Sequence, residues 1–355
     1  MDTRPNQTAR PQVVIAVDLP EERCREIERA VPEVDVVRDR ALYRPRRGPA
    51  DWSGDPAHRR TPEQQAAYDA MIDRADILFS LPDVDPAQLS RTARANPRLR
   101  WVQAMAAGGG AQLRAAGLDA DQLERIQVTT TAGVHGSPLA EFAVLGVLAG
   151  AKELPHLQAD QADHRWPDRW EMRQVDEMTV LVVGLGGIGA ACAQKLSALG
   201  ARVIGTSRSG RQVAGVDEVV PVEQLAEVAG RVDALIATLP GTAATDGLLG
   251  TEVLAAARPG TILVNVGRGT VVDEEALLDA LDAGRIGYAA LDVTAVEPLP
   301  TASRLWDHPR VLISPHTAAL SSREEERITR LFIDNLGRHL AGRPLRNVVD
   351  TVEFY

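Results

Sequence analysis

The feature that most limits the folds open to this chain is a regular alternation of short apolar runs and helical segments from about residue 176 onward. Runs such as TVLVV and TILVN alternate with segments such as AACAQKLSAL and DEEALLDALDAG. This rhythm is typical of repeated βαβ units, which form a parallel sheet covered by helices on both faces. Ligands of such sheets bind at the carboxyl ends of the strands, so we predict a nucleotide-binding domain here.

Residues 12–131 repeat this rhythm more loosely, with candidate strands QVVIAV, ADILFS, LRWVQ and IQVTT. A helix is predicted to begin at Thr61, with Gln64 closing a capping box and Pro62 in the first turn. A chain of 355 residues exceeds what one hydrophobic core usually fills. The sequence therefore predicts an α/β protein with two Rossmann-like, doubly wound parallel-sheet domains.

Composition excludes several classes of protein. The net charge of -10 disfavours nucleic-acid binding. Two distant cysteines, Cys24 and Cys192, indicate neither a disulfide framework nor a metal site, and they fit a reducing cytoplasm. The longest apolar stretch, residues 139–151, contains Glu141 and is too short to span a membrane. We expect a cytoplasmic protein without membrane anchoring.

Two further segments are open to alternatives. Residues 38–60 are rich in Pro, Gly and Arg, which favours a solvated surface loop over a device that gathers an anionic substrate. The apolar helix predicted over residues 137–154 fits either the core or a subunit interface.

A glycine-rich turn follows the strand TVLVV and opens a helix, which is the context that a dinucleotide-binding turn requires. Gly184 permits a tight turn, Gly186 lets the backbone approach a pyrophosphate, and Gly189 allows close helix–strand packing. The helix amino end favours the anion. The alternative is a tight turn with no ligand, but the strand and helix around it favour a nucleotide.

About twenty residues later, an NAD-selective site would carry an acid for the ribose hydroxyls. This chain instead has Ser207, Arg208, Ser209 and Arg211, which suit a 2′-phosphate. NADP is therefore favoured over NAD, the alternative being that both arginines are solvated.

Three downstream segments, NVGRGTVV, LDVTAVEPLP and ISPHTAAL, each end a predicted strand. They offer Arg268 for a substrate carboxylate and carbonyl, His316 for the proton, and Glu297 as the charge partner of the histidine. Each residue alone also fits a structural role, as a surface pair, a core histidine or a turn acid. Their order after a nucleotide turn favours hydride transfer between NAD(P)H and a small 2-oxo or 2-hydroxy acid, without a metal.

The motifs WVQ, GVHGSPLAEF, GLGGIG, LPGTAAT, NVGRG, LDVTAVEPLP and SPH stand in the order found in the D-isomer-specific 2-hydroxyacid dehydrogenase family. The chain resembles that family over nearly its whole length. The resemblance implies that Arg268 binds substrate, that His316 is the acid/base and Glu297 its partner, and that the amides of Ala107 and Gly108 hold the substrate carboxylate. It also implies cofactor contacts from Gly187, Ile188, Leu239, Pro240, Thr245, Val266, Gly267 and Asp292.

The same resemblance implies a discontinuous substrate domain of residues 1–108 and 317–355 and an NAD(P)-binding domain of residues 109–316. The active site is then expected in the cleft between them. It further implies a homodimer, with residues 137–152 in part of the interface.

Departures from the family pattern leave the 2-oxo acid open. They include Ala106, Ala318 and the segment 294–296. The serine–arginine–serine segment resembles the glyoxylate/hydroxypyruvate reductase branch, which usually prefers NADPH. Alternatives are a nicotinamide-sensing, corepressor-like interaction protein, and a dehydrogenase of the same fold that acts on formate or phosphite.

Overall fold

The computed structural model describes residues 10–352 except residues 49, 209 and 211. The chain divides into two compact units. Unit 1 holds the described residues up to Val134 and from Leu320 onward, and unit 2 is residues 135–319. Each unit carries its own parallel sheet, which confirms the predicted α/β fold with two parallel-sheet domains.

The described part of unit 1 contains a five-stranded parallel sheet in the order β2-β1-β3-β4-β5. This is the doubly wound order of a flavodoxin-like sheet. The strands are β1 (Gln12–Ile15), β2 (Asp35–Val37), β3 (Ile77–Phe79), β4 (Trp101–Gln103) and β5 (Gln127–Thr129).

Six helices of the described unit 1 connect and cover this sheet: α1 (Glu21–Ala30), α2 (Pro62–Ile72), α3 (Pro86–Ala95), α4 (Gly110–Ala116), α5 (Ala120–Arg125) and α12 (Glu324–Leu340). The predicted capping box of α2 is confirmed, since Thr61 and Gln64 exchange side-chain to backbone hydrogen bonds. The last helix, α12, returns to the core of unit 1. There Phe332 stacks on Trp101 with ring centroids 4.9 Å apart.

The segment 38–60 is not the solvated loop that its composition favours. Trp52 is only 8% exposed and Tyr43 only 4%. Several of its arginines are held in ion pairs, among them Arg38 with Glu21 and Arg60 with Asp83. The segment is irregular but packed, because its aromatic side chains enter the core and carboxylates elsewhere in unit 1 pair its charges.

Unit 2 contains a seven-stranded parallel sheet among its described residues, in the order β12-β11-β10-β9-β6-β7-β8. Its strands are β6 (Thr179–Val183), β7 (Arg202–Thr206), β8 (Glu218–Val220), β9 (Ala234–Ala237), β10 (Thr261–Asn265), β11 (Ile286–Leu291) and β12 (Val311–Ile313). Along β6, Leu181 and Val183 enter one hydrophobic cluster while Val180 and Val182 enter another. The sheet is therefore buried on both faces, as a doubly wound fold requires.

The helices of unit 2 include the long apolar helix predicted from the sequence. They are α6 (Gly136–Ala151), α7 (Leu154–Ala162), α8 (Gly187–Ala198), α9 (Leu225–Ala229), α10 (Thr251–Ala256) and α11 (Glu274–Asp282). One face of α6 packs on the sheet of unit 2 through Gly146 and Gly150. The opposite face keeps Leu145 48% exposed. The helix is thus part of the core on one side only.

The first crossing between the two units falls after Val134, later in the chain than the expected domain boundary after residue 108. Residues of β5 pair in register with β4, for example Thr129 with Gln103. This pairing keeps the chain in unit 1 until Val134. The second crossing falls at 319/320, close to the expected 316/317.

Neither cysteine is suited to nucleophilic chemistry. Both Cys24 and Cys192 are buried free thiols. Burial raises the pKa of the Cys24 thiol to about 11 and that of Cys192 to about 12. Both therefore stay protonated at neutral pH.

Helices long and apolar enough to cross a bilayer do not occur in the part of the chain that the structure describes. Within the same residues, no three His, Cys, Asp or Glu side chains gather as a metal site would require.

Gly146 and Gly337 form a matched test of helix packing. A Cβ at Gly146 would lie 2.7 Å from Val264 Cγ2 and 2.9 Å from Ala290 Cβ, whereas one at Gly337 meets nothing within 4 Å. We expect Gly146→Ala to lower the free energy of unfolding by about 1–3 kcal/mol through overpacking. Gly337→Ala should raise it by about 0.5–1 kcal/mol through helix propensity. Thermal unfolding measures both, and a midpoint for Gly146→Ala at or above that of the unmodified protein contradicts the packing.

Candidate active site

The glycine turn of unit 2 is fixed by two threonine hydroxyls. Thr206, at the end of β7, accepts a hydrogen bond from the Gly184 amide at 2.9 Å. Thr238, just after β9, donates to the Gly184 carbonyl at 2.7 Å. Gly184 itself has a φ of 100°, a conformation that favours glycine. Sequence reasoning missed both threonines, although each ends a predicted strand beside the turn.

The other glycines of the turn differ in the space around them. A Cβ at Gly189 would lie 1.9 Å from the Gly184 carbonyl oxygen, so no side chain fits there. A Cβ at Gly186 would meet no atom within 4 Å. The amides of Gly187 and Ile188 begin α8 and donate to no acceptor within the described residues. The turn thus offers an exposed backbone and open amides at a helix amino end, which suits an anion.

His316 and Glu297 lie together, with His316 Nδ1 2.7 Å from Glu297 Oε2. The other oxygen of Glu297 accepts a hydrogen bond from the Thr294 amide at 3.2 Å. A carboxylate only accepts hydrogen bonds, so Nδ1 carries a proton in this pair. The side chain of His316 is 45% exposed, which leaves its other ring nitrogen available to a ligand.

Asp292 holds the loop that carries His316. Its Oδ1 accepts hydrogen bonds from Ser314 Oγ at 2.6 Å and from the amides of Thr317 and Ala318 at 3.0 Å each. Its carbonyl accepts the His316 amide at 2.9 Å. These bonds surround His316, whose φ of 55° is unusual for a non-glycine residue. Sequence reasoning missed Ser314, which stands inside the SPH motif.

Arg268 lies on a loop that Asn265 closes. The Asn265 amide group donates to the Arg268 carbonyl at 2.9 Å and accepts from the Gly267 amide at 3.0 Å. The Arg268 guanidinium donates to the Gly267 carbonyl at 2.8 Å. Asn265 is only 1% exposed, so it positions the loop from within the core. It too was missed, although it ends β10 in the NVGRG motif.

The Arg268 and Glu297 loops pack tightly against one another. A Cβ on Gly269 would lie 1.9 Å from the Thr294 carbonyl group, so the two backbones leave no room for a side chain. Thr294 is the residue whose amide binds Glu297. Arg268 and the Glu297–His316 pair therefore sit on loops that touch.

The segment after β9 holds three expected cofactor residues. Thr245 Oγ1 donates to the Pro240 carbonyl at 2.6 Å and accepts from the Thr242 amide at 2.9 Å. Leu239 packs under the turn, since a Cβ on Gly184 would lie 2.6 Å from its Cδ2. The segment therefore joins the glycine turn to the Arg268 loop, where a Cβ on Gly267 would lie 2.6 Å from the Leu239 carbonyl oxygen. Val266, expected beside Gly267, is 2% exposed.

Two of the four residues expected near a 2′-phosphate lie in the described part of the chain. Ser207 and Arg208 directly follow β7, and Arg208 is exposed. Ser209 and Arg211 lie outside the described residues.

Ala107 and Gly108 belong to unit 1, where they follow β4. Both are exposed. Their amides donate to no acceptor among the residues that the structure describes. Paired free amides in a turn suit an anionic group.

A family model for the D-isomer specific 2-hydroxyacid dehydrogenase, NAD binding domain, matches residues 144–318 of this chain. The match falls within unit 2. It covers the glycine turn, the Arg268 loop and the His316–Glu297 pair.

Relatives and solved structures extend the likeness beyond unit 2. The glyoxylate/hydroxypyruvate reductase A of Salmonella dublin is 34% identical over 271 residues, covering 74% of this chain and 83% of that protein. An NADPH-dependent glyoxylate/hydroxypyruvate reductase of Sinorhizobium meliloti, solved with NADP and sulfate, superposes with a TM-score of 0.74 at 28% identity, covering 97% of this chain and 100% of that one. A D-isomer specific 2-hydroxyacid dehydrogenase of Xanthobacter autotrophicus Py2, solved with NADPH and MES, superposes with a TM-score of 0.75 at 30% identity. The match covers 98% of this chain and 100% of that one.

Substitutions at Gly186 and Gly189 test the stability of the turn and its ligand binding separately. Gly189→Ala forces a Cβ against the Gly184 carbonyl, so we expect it to lower the free energy of unfolding by about 1–3 kcal/mol. Gly186→Ala adds a methyl group in open space and should leave stability within about 0.5 kcal/mol. Because that methyl group covers exposed turn backbone, NADPH binding should still weaken. Thermal unfolding and NADPH titration test this, and equal losses of stability in both variants would contradict it.

Proposed function

The chain belongs to the D-isomer specific 2-hydroxyacid dehydrogenase family, and we propose that it reduces a small 2-oxo acid with NADPH, as a glyoxylate/hydroxypyruvate reductase does. The observation that carries the proposal is the 2.7 Å contact between His316 Nδ1 and Glu297 Oε2. It occupies one ring nitrogen and so directs the other toward substrate. Histidine is the side chain whose ordinary pKa suits proton transfer near neutral pH.

In the proposed reaction, the carbonyl carbon of the 2-oxo acid gains a hydride and its oxygen gains a proton, which gives the 2-hydroxy acid. NADPH, when bound, supplies the hydride and leaves as NADP⁺. His316 Nε2 donates the proton to the substrate oxygen, and Glu297 stabilises the charged ring and fixes its orientation. In the reverse direction the neutral ring accepts the proton.

Arg268 holds the substrate carboxylate in this proposal, because a guanidinium stays charged and its planar fork matches a carboxylate. The amides of Ala107 and Gly108 would bind the same group. Unit 1 is accordingly proposed as the substrate domain and unit 2 as the NAD(P)-binding domain.

Two observations in unit 2 support a nicotinamide cofactor. Gly186 faces open space, so a pyrophosphate can approach the turn backbone closely. Asp292 Oδ2 is buried without a hydrogen-bond partner among the described residues, and so it can accept a bond from a carboxamide. Leu239, Pro240, Thr245 and the strand end at Val266 and Gly267 are proposed to line the same cofactor.

NADP is proposed over NAD because Ser207, Arg208, Ser209 and Arg211 follow β7 where an acid would select NAD. An arginine can bind a 2′-phosphate through charge-assisted hydrogen bonds. The bound NADPH and NADP of the two structural neighbours agree with this preference.

A homodimer is also proposed. Large apolar side chains are exposed on α6, on the neighbouring α7 and just after it, with Leu145 of α6 48% exposed, Leu157 of α7 37% and Trp166 96%. Exposed apolar groups of this size commonly mark an interface between proteins. A cytoplasmic location fits the two free thiols and remains part of the proposal.

His316→Ala tests the proposed acid/base. We expect turnover of glyoxylate and hydroxypyruvate to fall by about 10²–10⁴-fold, because a positioned proton donor contributes about that factor. NADPH binding should persist. Initial rates of NADPH oxidation and a fluorescence titration of NADPH measure the two effects.

His308→Asn is the matched control. His308 Nδ1 accepts the Arg310 amide at 3.2 Å, a bond that an asparagine oxygen can replace. This variant should keep its turnover. Full activity in His316→Ala would refute the assigned role. If the unmodified protein binds NADPH but reduces no 2-oxo acid, a sensing protein or a dehydrogenase of another small anion becomes the better account.

Arg208→Gln tests the cofactor preference. We expect kcat/KM for NADPH to fall by about 10-fold or more while kcat/KM for NADH changes little, because the 2′-phosphate that the arginine would bind is present only in NADPH. Arg202→Gln is the control, since Arg202 begins the same strand and pairs with Glu218 at 2.8 Å. Equal losses with both cofactors in Arg208→Gln would contradict the assignment.

A further inference from the structure

Unit 1 contains a small basic cavity that the proposed chemistry does not use. It measures about 330 Å³ and is lined by Arg44, Pro56, His58, Arg59, Arg60 and Gln65. Three of these residues are arginines. The cavity is built from the segment 38–60, for which composition left open a role in gathering an anion, together with the first turns of α2.

The floor of the cavity is rigid. The Arg60 side chain is 4% exposed and donates two hydrogen bonds to Asp83, at 2.7 and 2.8 Å. Its guanidinium also lies over the ring of Tyr68, 3.8 Å from the ring centre. Arg60 also donates to the Leu42 carbonyl and, at 3.3 Å, to Gln65 Oε1, so several partners fix the guanidinium in one position.

The positive charges in the cavity exceed the negative charges beside it. Asp83 is shared, because Arg44 approaches the same carboxylate at 3.5 Å. Arg59 donates only to the carbonyls of Pro56 and His58 and forms an ion pair with no described residue. The nearby Asp69 binds Gln65 and also lies 3.6 Å from Arg91. A surplus of guanidinium charge therefore faces the cavity.

The cavity lies at the functional edge of the sheet in unit 1. The segment 38–60 follows β2, and Asp83 follows β3, so both stand at the carboxyl ends of parallel strands. Strand β4, which leads to Ala107 and Gly108, is the neighbour of β3, about 4.8 Å away. The basic cavity and the proposed carboxylate-binding amides thus share one edge.

Strained backbone gathers at the same place. Ser80, Asp83 and Val84 have φ values of 80°, 52° and 54°. Such conformations in non-glycine residues persist only where the surroundings hold them, and they cluster at binding sites.

We propose that this cavity binds a second anionic group of the substrate, a carboxylate or a phosphate, so that the enzyme prefers 2-oxo acids with a charge at the end far from the reacting carbonyl. This inference rests on the proposed function for the identity of the reaction. Arg59 and Arg44 supply the contacts, and Arg60 shapes the floor.

Matched substrate pairs test the proposal. Oxaloacetate against pyruvate adds a carboxylate, and 3-phosphohydroxypyruvate against hydroxypyruvate adds a phosphate. We expect the charged member of at least one pair to have the higher kcat/KM, and the pair that shows it identifies the group. The measured quantity is the ratio of kcat/KM for the charged substrate to kcat/KM for its uncharged partner in the pair. Arg59→Gln and Arg44→Gln should each lower this ratio by about 10-fold, because each removes one charge-assisted hydrogen bond.

Arg47→Gln is the control. Arg47 belongs to the same segment but pairs with Asp51 and does not line the cavity, so the ratio should stay unchanged. Higher salt should also reduce the ratio in the unmodified protein, because charges open to solvent are screened. An unchanged ratio in both Arg59→Gln and Arg44→Gln, or no preference for either charged member, overturns the proposal.

Calorimetric titration with inorganic phosphate and with malonate distinguishes a failure of the cavity proposal from a failure of the proposed function. Binding that is lost in Arg59→Gln but kept in Arg47→Gln supports the cavity even if no 2-oxo acid is reduced, in which case only the proposed function fails. Reduction of pyruvate or hydroxypyruvate together with anion binding that is equal in both variants leaves the proposed function standing and overturns the cavity.

Discussion

In a parallel sheet every strand ends at the same edge, and this constraint determines where polar side chains can act together in unit 2. Strand β6 leads into the glycine turn, β10 into the Arg268 loop, β11 into Asp292, and β12 into His316. These segments are far apart in the sequence. Because the strands are parallel and lie side by side, the segments that follow them meet at one edge. The site therefore needs no long connection or inserted element.

Short buried polar side chains then fix the loops at that edge. Asp292 and Asn265, each 1% exposed, bind backbone amides of the loops that carry His316 and Arg268. A buried amide left without a partner costs about 1–3 kcal/mol, so each loop is strongly favoured in one conformation. The side chains proposed to be catalytic can remain partly exposed to meet a ligand, because buried residues fix the loops that carry them.

The pattern of apolar residues predicted the central strands, because strands buried on both faces consist of continuous apolar runs. It also placed the glycine turn, which directly follows one of these runs. It missed β2 and β8, whose sequences DVV and EVV are three residues long and begin with an acid. Such edge strands carry too little apolar sequence for a periodic signal. The first crossing between the units lies after residue 134 rather than 108 for a related reason, because membership of β5 in unit 1 depends on its pairing with β4.

The segment 38–60 shows why composition alone misjudges charge. Arg46 pairs with Glu325, and Arg60 pairs with Asp83, partners that only the folded chain brings near. Once these pairs form, Arg59 is left facing a cavity with a local positive excess, although the whole chain carries -10. Salt at physiological strength screens exposed charges beyond about 8 Å. The local arrangement of arginines, more than the net charge, therefore decides whether an anion is attracted to this edge of unit 1.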